Sequence, residues 1–464
     1  MALDVMRKTF NNSKESMAGK LFGTDGIRGK ANQWPITPEV GMRIGRAIAR
    51  VLNAQCPGKH KVVIGKDTRL SGYMLENAIT AGLVSEGARV LLTGPLPTPA
   101  IAYITKSMAC DAGVMLTASH NPYMDNGIKI FGPDGYKLND ALEAEVEAII
   151  LEENLAEPQG QLGKAFRIDD ATGRYIEFAK AAIHARSLKG LKVVVDCANG
   201  AGYYVGPLIL QELGAEVIKM ATKPDGVNIN EGVGALYPEK AGALVLEHGA
   251  DVGICLDGDA DRVIFIDEKG DVLSGDKVLF MCAKALKQRG QLANDTLVAT
   301  VMSNLGLKTA LAAEGIELAA TGVGDRLVIE CMREHGHSLG GENSGHIIFA
   351  DSATTGDGLM SGLKVLEIML DSGMTLSELA QGMEEFPQEL HAIEVASKPA
   401  IDSVPGLVAV IDEIESTLGD SGRVLVRYSG TENKIRVLVE AQCADAARDS
   451  AESICSVVRN TIGA

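Results

Sequence analysis

Short apolar runs that end in loops rich in glycine and asparagine recur along the chain, and each is followed by a helical pattern. The segments KVVIGK, LKVVVD and DTLVAT have the length and β-branched content of buried strands. The second leads into a predicted helix over residues 205–213, and Thr37 with Pro38 predicts the start of an earlier helix. Strands that alternate with helices in this way predict α/β units whose sheets are largely parallel.

The end of the chain follows a different pattern. A helix predicted near residues 407–418 is followed by two strands, GRVLVRYSG and NKIRVLVEA, and by a final helix. The predicted fold is therefore three related α/β domains with mixed, largely parallel sheets and a smaller C-terminal α+β domain with an antiparallel sheet. The expected organisation is a flexible extension over residues 1–20, α/β domains over residues 21–170, 171–272 and 273–386, and the α+β domain over residues 387–464.

Composition and charge narrow the class of protein. The 464 residues are 46% hydrophobic and 23% charged, as in soluble globular proteins, and the length predicts several domains. A formal net charge of -17 disfavours nucleic acid and anionic membranes as partners. The sequence shows no apolar run of about 18 residues and no secretory signal, so a cytoplasmic location is expected.

Motifs for nucleotide cofactors and for cysteine chemistry are missing from the sequence. Neither a Walker-type nor a Rossmann-type glycine loop is present, so a nucleotide cofactor has no recognisable cradle. The eight cysteines are scattered singly with no C-x-x-C pair, which argues against a zinc site and against a disulfide framework. We expect them to be small buried hydrophobic residues.

The first stretch that can carry chemistry is TASHNP. Ser119 follows a predicted buried strand at residues 114–116, and ligands bind at the carboxyl ends of strands in open α/β sheets. Its hydroxyl could take part in a reaction, or it could bond to nearby backbone in an ordinary Ser/Asn/Pro turn. A hydrolase triad is disfavoured because no G-x-S-x-G elbow surrounds Ser119.

The second stretch is DGDADR. Asp257, Asp259 and Asp261 offer hard oxygen ligands at alternate positions, which suits Mg²⁺. An EF-hand is disfavoured because Arg262 takes the place of the required glycine and the predicted strand VIFI follows. A solvated acidic loop is the remaining alternative, but three adjacent carboxylates repel one another unless a cation offsets their charge.

The third stretch is GGENSGH, in which glycines let the backbone approach a ligand closely. Glu342 and Ser344 offer the acceptor and the donor that sugar hydroxyls need, and His346 can titrate near neutral pH. The alternative is a glycine-rich turn with a structural histidine, and stretches of this kind more often have that structural role.

The fourth stretch is RYSGTENKIR, whose side chains and backbone N–H groups could converge on one phosphate. The residues concerned are Arg427, Ser429, Gly430, Thr431 and Arg436. The alternative is a hairpin with exposed arginines, and the stretch alone leaves both meanings open.

Five stretches, GTDGIRG, TASHNPYMDNGIK, DGDADR, GENSGH and RYSGTENKIR, together resemble the motifs of the α-D-phosphohexomutase superfamily, in order and from Leu21 onward. Within that superfamily, LFGTDGIRG is most similar to the phosphoglucosamine mutases. The resemblance implies that Ser119 is carried as phosphoserine and holds one Mg²⁺ together with Asp257, Asp259 and Asp261. It also implies a hexose bisphosphate as intermediate and activator.

The resemblance implies roles for further residues. Lys129 and His346 are the candidates for general acid and base, with their order left open, and Arg28 assists near the transferred group. His120, next to Ser119, is assigned to the catalytic set but need not be the base. The substrate-binding set serves the sugar hydroxyls and the phosphate that is not transferred, and it comprises Glu342, Ser344, Arg262, Arg427, Ser429, Gly430, Thr431 and Arg436.

The activity implied by the resemblance is a mutase that interconverts glucosamine 6-phosphate and glucosamine 1-phosphate, with a small sugar phosphate as its partner and a homodimer as a further implication. The alternatives are a phosphomannomutase/phosphoglucomutase with the same mechanism, a phosphatase, and a catalytically silent sugar-phosphate-binding protein. Gly322 stands where phosphoglucosamine mutases are expected to have a lysine, and Asn433 where a proline is expected. The first departure leaves the preferred hexose open.

Overall fold

A computed structural model of the chain describes residues 21–23, 25–158, 161–429 and 433–464. The extension predicted over residues 1–20 lies outside these described residues. The chain divides into two compact units, each of which is described by itself. Unit 1 comprises the described part of Met1–Val272 together with Ser352–Glu367, and unit 2 comprises that of Leu273–Asp351 and Ile368–Ala464.

Helices and strands alternate through most of both units. The helices of the described residues are α1 (Pro38–Gln55), α2 (Leu70–Ser85), α3 (Thr98–Ser107), α4 (Asp140–Leu151), α5 (Ala171–Ala181), α6 (Val205–Glu212), α7 (Glu239–His248), α8 (Gly275–Gln288), α9 (Leu305–Ala313), α10 (Asp325–His335), α11 (Gly358–Ser372), α12 (Leu376–Leu379), α13 (Leu407–Leu418) and α14 (Ala444–Thr461). The strands are β1 (Ile27–Lys30), β2 (Lys61–Lys66), β3 (Arg89–Pro95), β4 (Ala112–Leu116), β5 (Asp125–Phe131), β6 (Lys164–Arg167), β7 (Lys192–Asp196), β8 (Glu216–Met220), β9 (Val252–Leu256), β10 (Val263–Ile266), β11 (Val272–Leu273), β12 (Thr296–Thr300), β13 (Glu317–Thr321), β14 (Leu339–Gly341), β15 (Ile347–Phe349), β16 (Gln388–Glu394), β17 (Gly422–Tyr428) and β18 (Lys434–Ala441).

Helix α1 shows how the local sequence sets an element. The Thr37 side chain accepts a hydrogen bond from the Val40 amide at 3.3 Å, and Pro38 occupies the first turn, where its missing N–H costs nothing. Val40, Ile44 and Ile48 follow at helical spacing and are buried against the first sheet. The helix start predicted from Thr37 and Pro38 is therefore confirmed.

The three α/β sheets share one arrangement of strands. Their strand orders are β1-β5-β4-β2-β3-β6, β11-β10-β9-β7-β8 and β13-β12-β14-β15. In each sheet a central strand, β2, β7 or β12, pairs in parallel with a neighbour on either side. One of those neighbours, β4, β9 or β14, then pairs antiparallel with the strand that follows it in sequence. The prediction of related α/β domains with mixed, largely parallel sheets is confirmed.

The C-terminal sheet has the order β16-β18-β17, and both of its pairings are antiparallel. Helices α13 and α14 contribute to its apolar core, which includes Leu407, Val437 and Ile454. This confirms the α+β domain and the helix predicted near residues 407–418. Strand β16 was not part of the prediction, because its residues alternate between exposed and half-buried and it lies at the edge of the sheet.

Within the described residues, no helix is long and apolar enough to cross a membrane.

The cysteines were expected to be buried. Five of the eight are buried as expected, but Cys56 and Cys443 are exposed and Cys331 is half-buried. The prediction of uniformly buried cysteines was therefore wrong for these three: Cys56 and Cys443 lie at helix ends, and Cys331 lies within α10 on a face that is only partly covered.

Candidate active site

Three loops with polar side chains occupy the same position in the three α/β sheets. Each connects the parallel strand β4, β9 or β14 to its antiparallel neighbour β5, β10 or β15. The first loop carries Ser119, the second carries the aspartates of DGDADR, and the third carries GENSGH. Since ligands bind beyond the carboxyl ends of parallel strands, this position favours a functional site in each domain.

Ser119 is held in a conformation that few residues adopt. Its φ is 52°, in the left-handed region, and its side chain is buried. The hydroxyl Oγ donates a hydrogen bond to Asp257 Oδ2 at 2.6 Å, and the Ser119 amide donates to Thr117 Oγ1 at 2.9 Å. The serine therefore points into the aspartate loop of the second sheet and does not simply bond to its own backbone.

Arg69 and Asn230 fix the backbone around this serine. The fully buried Arg69 donates from Nη2 to the carbonyl oxygens of Ser119 at 2.9 Å and Asn121 at 2.8 Å, and Asn230 Nδ2 donates to the same two oxygens at 2.9 and 3.0 Å. Gly258 packs against this loop so closely that a Cβ there would clash with the Ser119 carbonyl oxygen. These contacts explain how the strained conformation persists.

The aspartate loop places three carboxylates within reach of one cation. Asp257, Asp259 and Asp261 are buried, and one oxygen from each lies within 4.8 Å of the others. Burial, together with the charges of Asp259 and Asp261, raises the pKa of Asp257 well above its usual range. Asp259 Oδ1 is buried with no hydrogen-bond donor among the described residues. A hard divalent cation such as Mg²⁺ fits this oxygen-only donor set.

Lys129 offsets part of this negative charge. It extends from β5, and its buried Nζ lies 3.0 Å from Asp259 Oδ2, 3.0 Å from Asp261 Oδ2 and 3.3 Å from Asp25 Oδ2. Burial by itself would lower the pKa of Lys129, but the three carboxylates outweigh it and raise the pKa well above its ordinary value. The amine is therefore protonated at neutral pH, as a proton donor has to be.

Asp25 links Lys129 to the N-terminal motif. Its carboxylate contacts Arg28 and accepts from Lys137 Nζ at 2.6 Å. Burial would raise the pKa of Asp25, but Lys129, Lys137 and Arg28 hold it well below its usual range. Arg28, on β1, lies opposite Gly127 of β5, so the pairing of these strands brings the predicted catalytic arginine to the lysine strand.

His120 lies close to both Ser119 and Arg262. His120 Nδ1 lies 3.3 Å from Ser119 Oγ and 3.2 Å from Arg262 Nη1. Burial, with Arg262 and Arg28 adding to it, lowers the pKa of His120 to about 4. The imidazole is therefore neutral at physiological pH.

In unit 2, the GENSGH loop lies against the loop that contains Gly322. Glu342 Oε1 accepts from the Gly324 amide at 3.1 Å, and Ser344 Oγ lies 3.5 Å from Glu342 Oε2. The buried His346 has its Nε2 3.5 Å from Asp325 Oδ2, at the start of α10. The predicted sugar-binding residues are thus close together, with the unexpected glycine on the adjacent loop.

The two arginines of unit 2 that are predicted to bind phosphate face each other across two strands. Arg427 and Arg436 are directly opposite in the pairing of β17 with β18, and both are half-buried. Burial and the neighbouring Arg436 lower the pKa of Arg427. Lys398 Nζ donates to the carbonyl oxygen of the buried Ser429 at 2.8 Å. Gly430 and Thr431, also predicted for this site, lie outside the described residues.

The structure groups the predicted residues by unit. Unit 1 brings together Ser119, His120, Lys129, Arg28, Arg262 and the three aspartates, and unit 2 carries the residues that are predicted to bind the sugar hydroxyls and the second phosphate. Sequence reasoning missed Asp25, Arg69, Asn230 and Lys398. Asp25 stands inside the quoted motif GTDGIRG and Arg69 comes three residues after the predicted strand KVVIGK, so position offered a signal for these two. The contacts of Asn230 and Lys398 had no local signal.

Family models of the phosphoglucomutase/phosphomannomutase family match four successive parts of the chain. Alpha/beta/alpha domain I matches residues 19–157, domain II residues 173–270, domain III residues 274–386, and the C-terminal domain residues 390–457. Together these matches account for most of the chain in the order of the family.

Curated relatives and solved structures agree with these matches. The chain is 51% identical to a phosphoglucosamine mutase of Syntrophotalea carbinolica over 451 residues, covering 96% of this chain and 99% of that protein. It is 54% identical to a phosphoglucosamine mutase of Magnetococcus marinus, covering 95% of this chain and 92% of that protein.

A phosphoglucomutase/phosphomannomutase family protein of Burkholderia thailandensis has the same fold, with a TM-score of 0.79 at 24% identity over 95% of this chain and 97% of that chain. An N-acetylphosphoglucosamine mutase of Aspergillus fumigatus, solved with GlcNAc-6P and magnesium, has a TM-score of 0.69 at 20% identity over 95% of each chain. The chain belongs to the phosphoglucomutase/phosphomannomutase family, and within it to the phosphoglucosamine mutases.

Proposed function

We propose that this chain is a phosphohexomutase that interconverts glucosamine 6-phosphate and glucosamine 1-phosphate through phosphoserine at Ser119 and a hexose bisphosphate. The observation that carries the proposal is the 2.6 Å hydrogen bond from Ser119 Oγ to Asp257 inside the buried aspartate triad. Relatives at 51 and 54% identity are named for this reaction. The product would feed the synthesis of UDP-N-acetylglucosamine and bacterial wall precursors.

The transfer step uses groups of this chain in defined roles. A sugar hydroxyl attacks the phosphorus of phosphoserine 119, the bond from phosphorus to Oγ breaks, and the hydroxyl proton passes to a base. The protonated Lys129 supplies positive charge and is the candidate acid, which leaves His346 as the candidate base. The bisphosphate then returns its other phosphoryl group to Ser119. Arg28 assists near the transferred group, and positioning does most of the work.

Mg²⁺ is the proposed cofactor. Asp257, Asp259, Asp261 and the phosphoserine would hold it, and when bound it would neutralise charge on the phosphoryl oxygens. Glu342 and Ser344 would bind sugar hydroxyls, with Arg262 in the same set. Arg427, Arg436 and the turn that contains Ser429, Gly430 and Thr431 would bind the phosphate that is not transferred. We also propose a cytoplasmic homodimer that uses hexose bisphosphate as activator and has no nucleic-acid or membrane partner.

The decisive experiment compares kcat/KM for glucosamine 1-phosphate, mannose 1-phosphate and glucose 1-phosphate, with Mg²⁺ and a trace of hexose bisphosphate. We expect the amino sugar to be preferred by at least about tenfold, equal to about 1.4 kcal/mol in transition-state binding. A preference for mannose or glucose would contradict the substrate but leave the mechanism standing. Release of inorganic phosphate without isomer formation would indicate a phosphatase.

Gly322→Lys sharpens this comparison. A Cβ at residue 322 would lie 2.8 Å from Leu327 Cδ1, which is the tip of a 42% exposed side chain that can move aside. If the missing lysine weakens discrimination between glucosamine 1-phosphate and the two neutral hexose phosphates, the variant increases the preference for glucosamine 1-phosphate. An unchanged ratio of kcat/KM values would show that residue 322 does not contact the sugar.

Ser119→Ala tests the phosphoryl carrier directly. We expect loss of both the phosphoprotein and mutase turnover, since no other hydroxyl donates to Asp257 in the described residues. Ser85→Ala is the matched control, because that hydroxyl bonds only to the Gly82 carbonyl oxygen within α2. Normal turnover by Ser119→Ala would refute the role, and a silent binding protein would show no turnover even before substitution.

A further inference from the structure

The C-terminal end of α10 carries a second cluster of metal-binding side chains. Cys331, His335 and His337 each offer one ligand atom, and these atoms lie within 4.8 Å of one another. Among the described residues, only the aspartate triad shares this property. The proposed mutase reaction uses none of the three, and the absence of a C-x-x-C pair had argued against a zinc site.

Helical spacing and one glycine bring the cluster together. Cys331 and His335 are four residues apart, so they lie on one face of α10, with Sγ 3.9 Å from His335 Nδ1. The helix ends at His335, and Gly336 has a φ of 70°, a left-handed conformation that glycine adopts at low cost. The chain therefore turns back, and the rings of His335 and His337 stack with centroids 5.7 Å apart.

The donor set and its surroundings suit a borderline-soft cation. In a tetrahedral zinc site, bonds of about 2.3 Å to sulfur and about 2.0 Å to nitrogen place the two ligand atoms about 3.5 Å apart. The helix C-terminus adds partial negative charge. Asn294 Nδ2 donates to the His335 carbonyl oxygen at 3.1 Å and lies 3.5 Å from His337 Nδ1, so it can orient the loop as outer contacts do in zinc sites.

We propose that Cys331, His335 and His337 bind Zn²⁺ or a similar thiophilic divalent cation, with water in the fourth position. His335 Nδ1 also lies 3.1 Å from the Cys331 carbonyl oxygen, so the ring is already held beside Cys331. Binding would release the proton of the Cys331 thiol, because the thiolate is the form that ligates a metal. The chain thus has two cation sites of opposite selectivity, because oxygen ligands favour Mg²⁺ and sulfur and nitrogen ligands favour Zn²⁺.

The site lies at the opposite end of α10 from the contact between Asp325 and His346. At 1.5 Å per residue, the axial distance from Asp325 to His335 is about 15 Å. Substitutions in the cluster are therefore expected to leave mutase activity with Mg²⁺ unchanged, which also shows that the variants are folded. The proposal stands whether or not glucosamine phosphates are the substrates.

Co²⁺ titration of the full chain, saturated with Mg²⁺ to occupy the aspartate triad, tests the proposal. A thiolate ligand to Co²⁺ produces a near-ultraviolet charge-transfer band that carboxylates do not produce. We expect this band to saturate near about one equivalent and to disappear when Zn²⁺ displaces Co²⁺. Cys331→Ser should abolish it, and His335→Gln or His337→Gln should weaken Co²⁺ affinity by about tenfold or more.

Cys443→Ser is the matched control, because it removes an exposed thiol outside the cluster. It should leave the band unchanged. No band with the native chain, a band that persists in Cys331→Ser, or a band lost in Cys443→Ser would each overturn the proposal. In a second measurement, Zn²⁺ should slow alkylation of Cys331 by about tenfold or more and leave Cys443 unaffected, and equal protection of both thiols would contradict it.

Discussion

The aspartate triad of unit 1 and the arginine pair of unit 2 both hold like charges close together, but they offset the repulsion differently. The three carboxylates are buried, and Lys129 contacts two of them at 3.0 Å. Arg427 and Arg436 lie directly opposite each other on two strands, but they are half-buried, so water screens their charge. Burial therefore decides how much of the repulsion water can screen and how much a nearby opposite charge must offset.

Removal of Lys129 should have the largest effect on this balance. Lys129→Met leaves buried carboxylates without their protein cation, so we expect the free energy of unfolding to fall by about 3–5 kcal/mol in the absence of divalent cations. Mg²⁺ should restore much of the loss, because a bound cation offsets the same carboxylates. Urea unfolding with and without Mg²⁺ measures both effects.

The control for this variant is Arg448→Met, which breaks an exposed ion pair with Asp445 and should change stability little under either condition. An equal loss of stability for Lys129→Met with and without Mg²⁺ would show that the triad is not where the cation acts.

Arg69→Met tests whether the serine loop is preformed. Arg69 donates to protein carbonyl oxygens and to Asp67, so we expect kcat to fall by about a hundredfold as Ser119 loses its position, while KM changes little. Ile64→Ala, a buried apolar change on β2, is the control for lost stability alone. A similar fall in kcat for Ile64→Ala would mean that Arg69 acts only through stability.

Asp276 provides a buried carboxylate in unit 2 for comparison with the triad. Burial raises its pKa from 3.8 to about 6, although it accepts a hydrogen bond from the Asn304 amide at 2.8 Å. The folded state therefore binds this proton more tightly than the unfolded state, and the stabilising contribution present below about pH 4 is lost as the pH rises through about 6.

Asp276→Asn removes this titration. We expect the stability of the variant to rise relative to the parent by about 2 kcal/mol between about pH 4 and about pH 7, as measured by urea unfolding at each pH. A stability difference that does not depend on pH would contradict the raised pKa of Asp276.

Arg436→Met should have the smallest effect on the enzyme. We expect KM to rise by about tenfold through loss of a phosphate contact, and the loss of cross-strand repulsion with Arg427 to offset part of any accompanying change in stability. Arg423→Met is the contrast, because Arg423 bonds to the Val301 and Ser303 carbonyl oxygens and to the buried Glu440. It should lose stability without raising KM, and the same pattern for Arg436→Met would remove the proposed phosphate contact.

Much of the fold was predictable because its signals are local. Apolar runs with β-branched residues predicted the buried strands β2, β4, β7 and β12, and a cap with proline predicted α1. The edge strand β16 escaped because half-exposed strands have no continuous apolar run. The relation among the three α/β domains was predicted, but their shared strand order was not, since equivalent topology does not require similar side chains.

The site was predictable to the extent that its residues stand in short motifs. The serine, aspartate, GENSGH and arginine stretches could be read directly, but the contacts between them could not. Asn230 reaches the Ser119 carbonyl oxygen from 111 residues away, and Arg69 reaches it from 50 residues away. Such partners are chosen by tertiary packing, which a local pattern of residue types does not report.

The antiparallel pairing of β4 with β5 makes the length of the serine loop as important as its composition. Met115 lies opposite Lys129, and Leu116 opposite Ile128. Successive side chains of a strand point to opposite faces of the sheet. A one-residue insertion or deletion in the loop between β4 and β5 would therefore turn Lys129 away from the aspartates and present an isoleucine instead. Homologous loops that differ in length by a single residue would therefore signal lost activity even where every motif residue is retained.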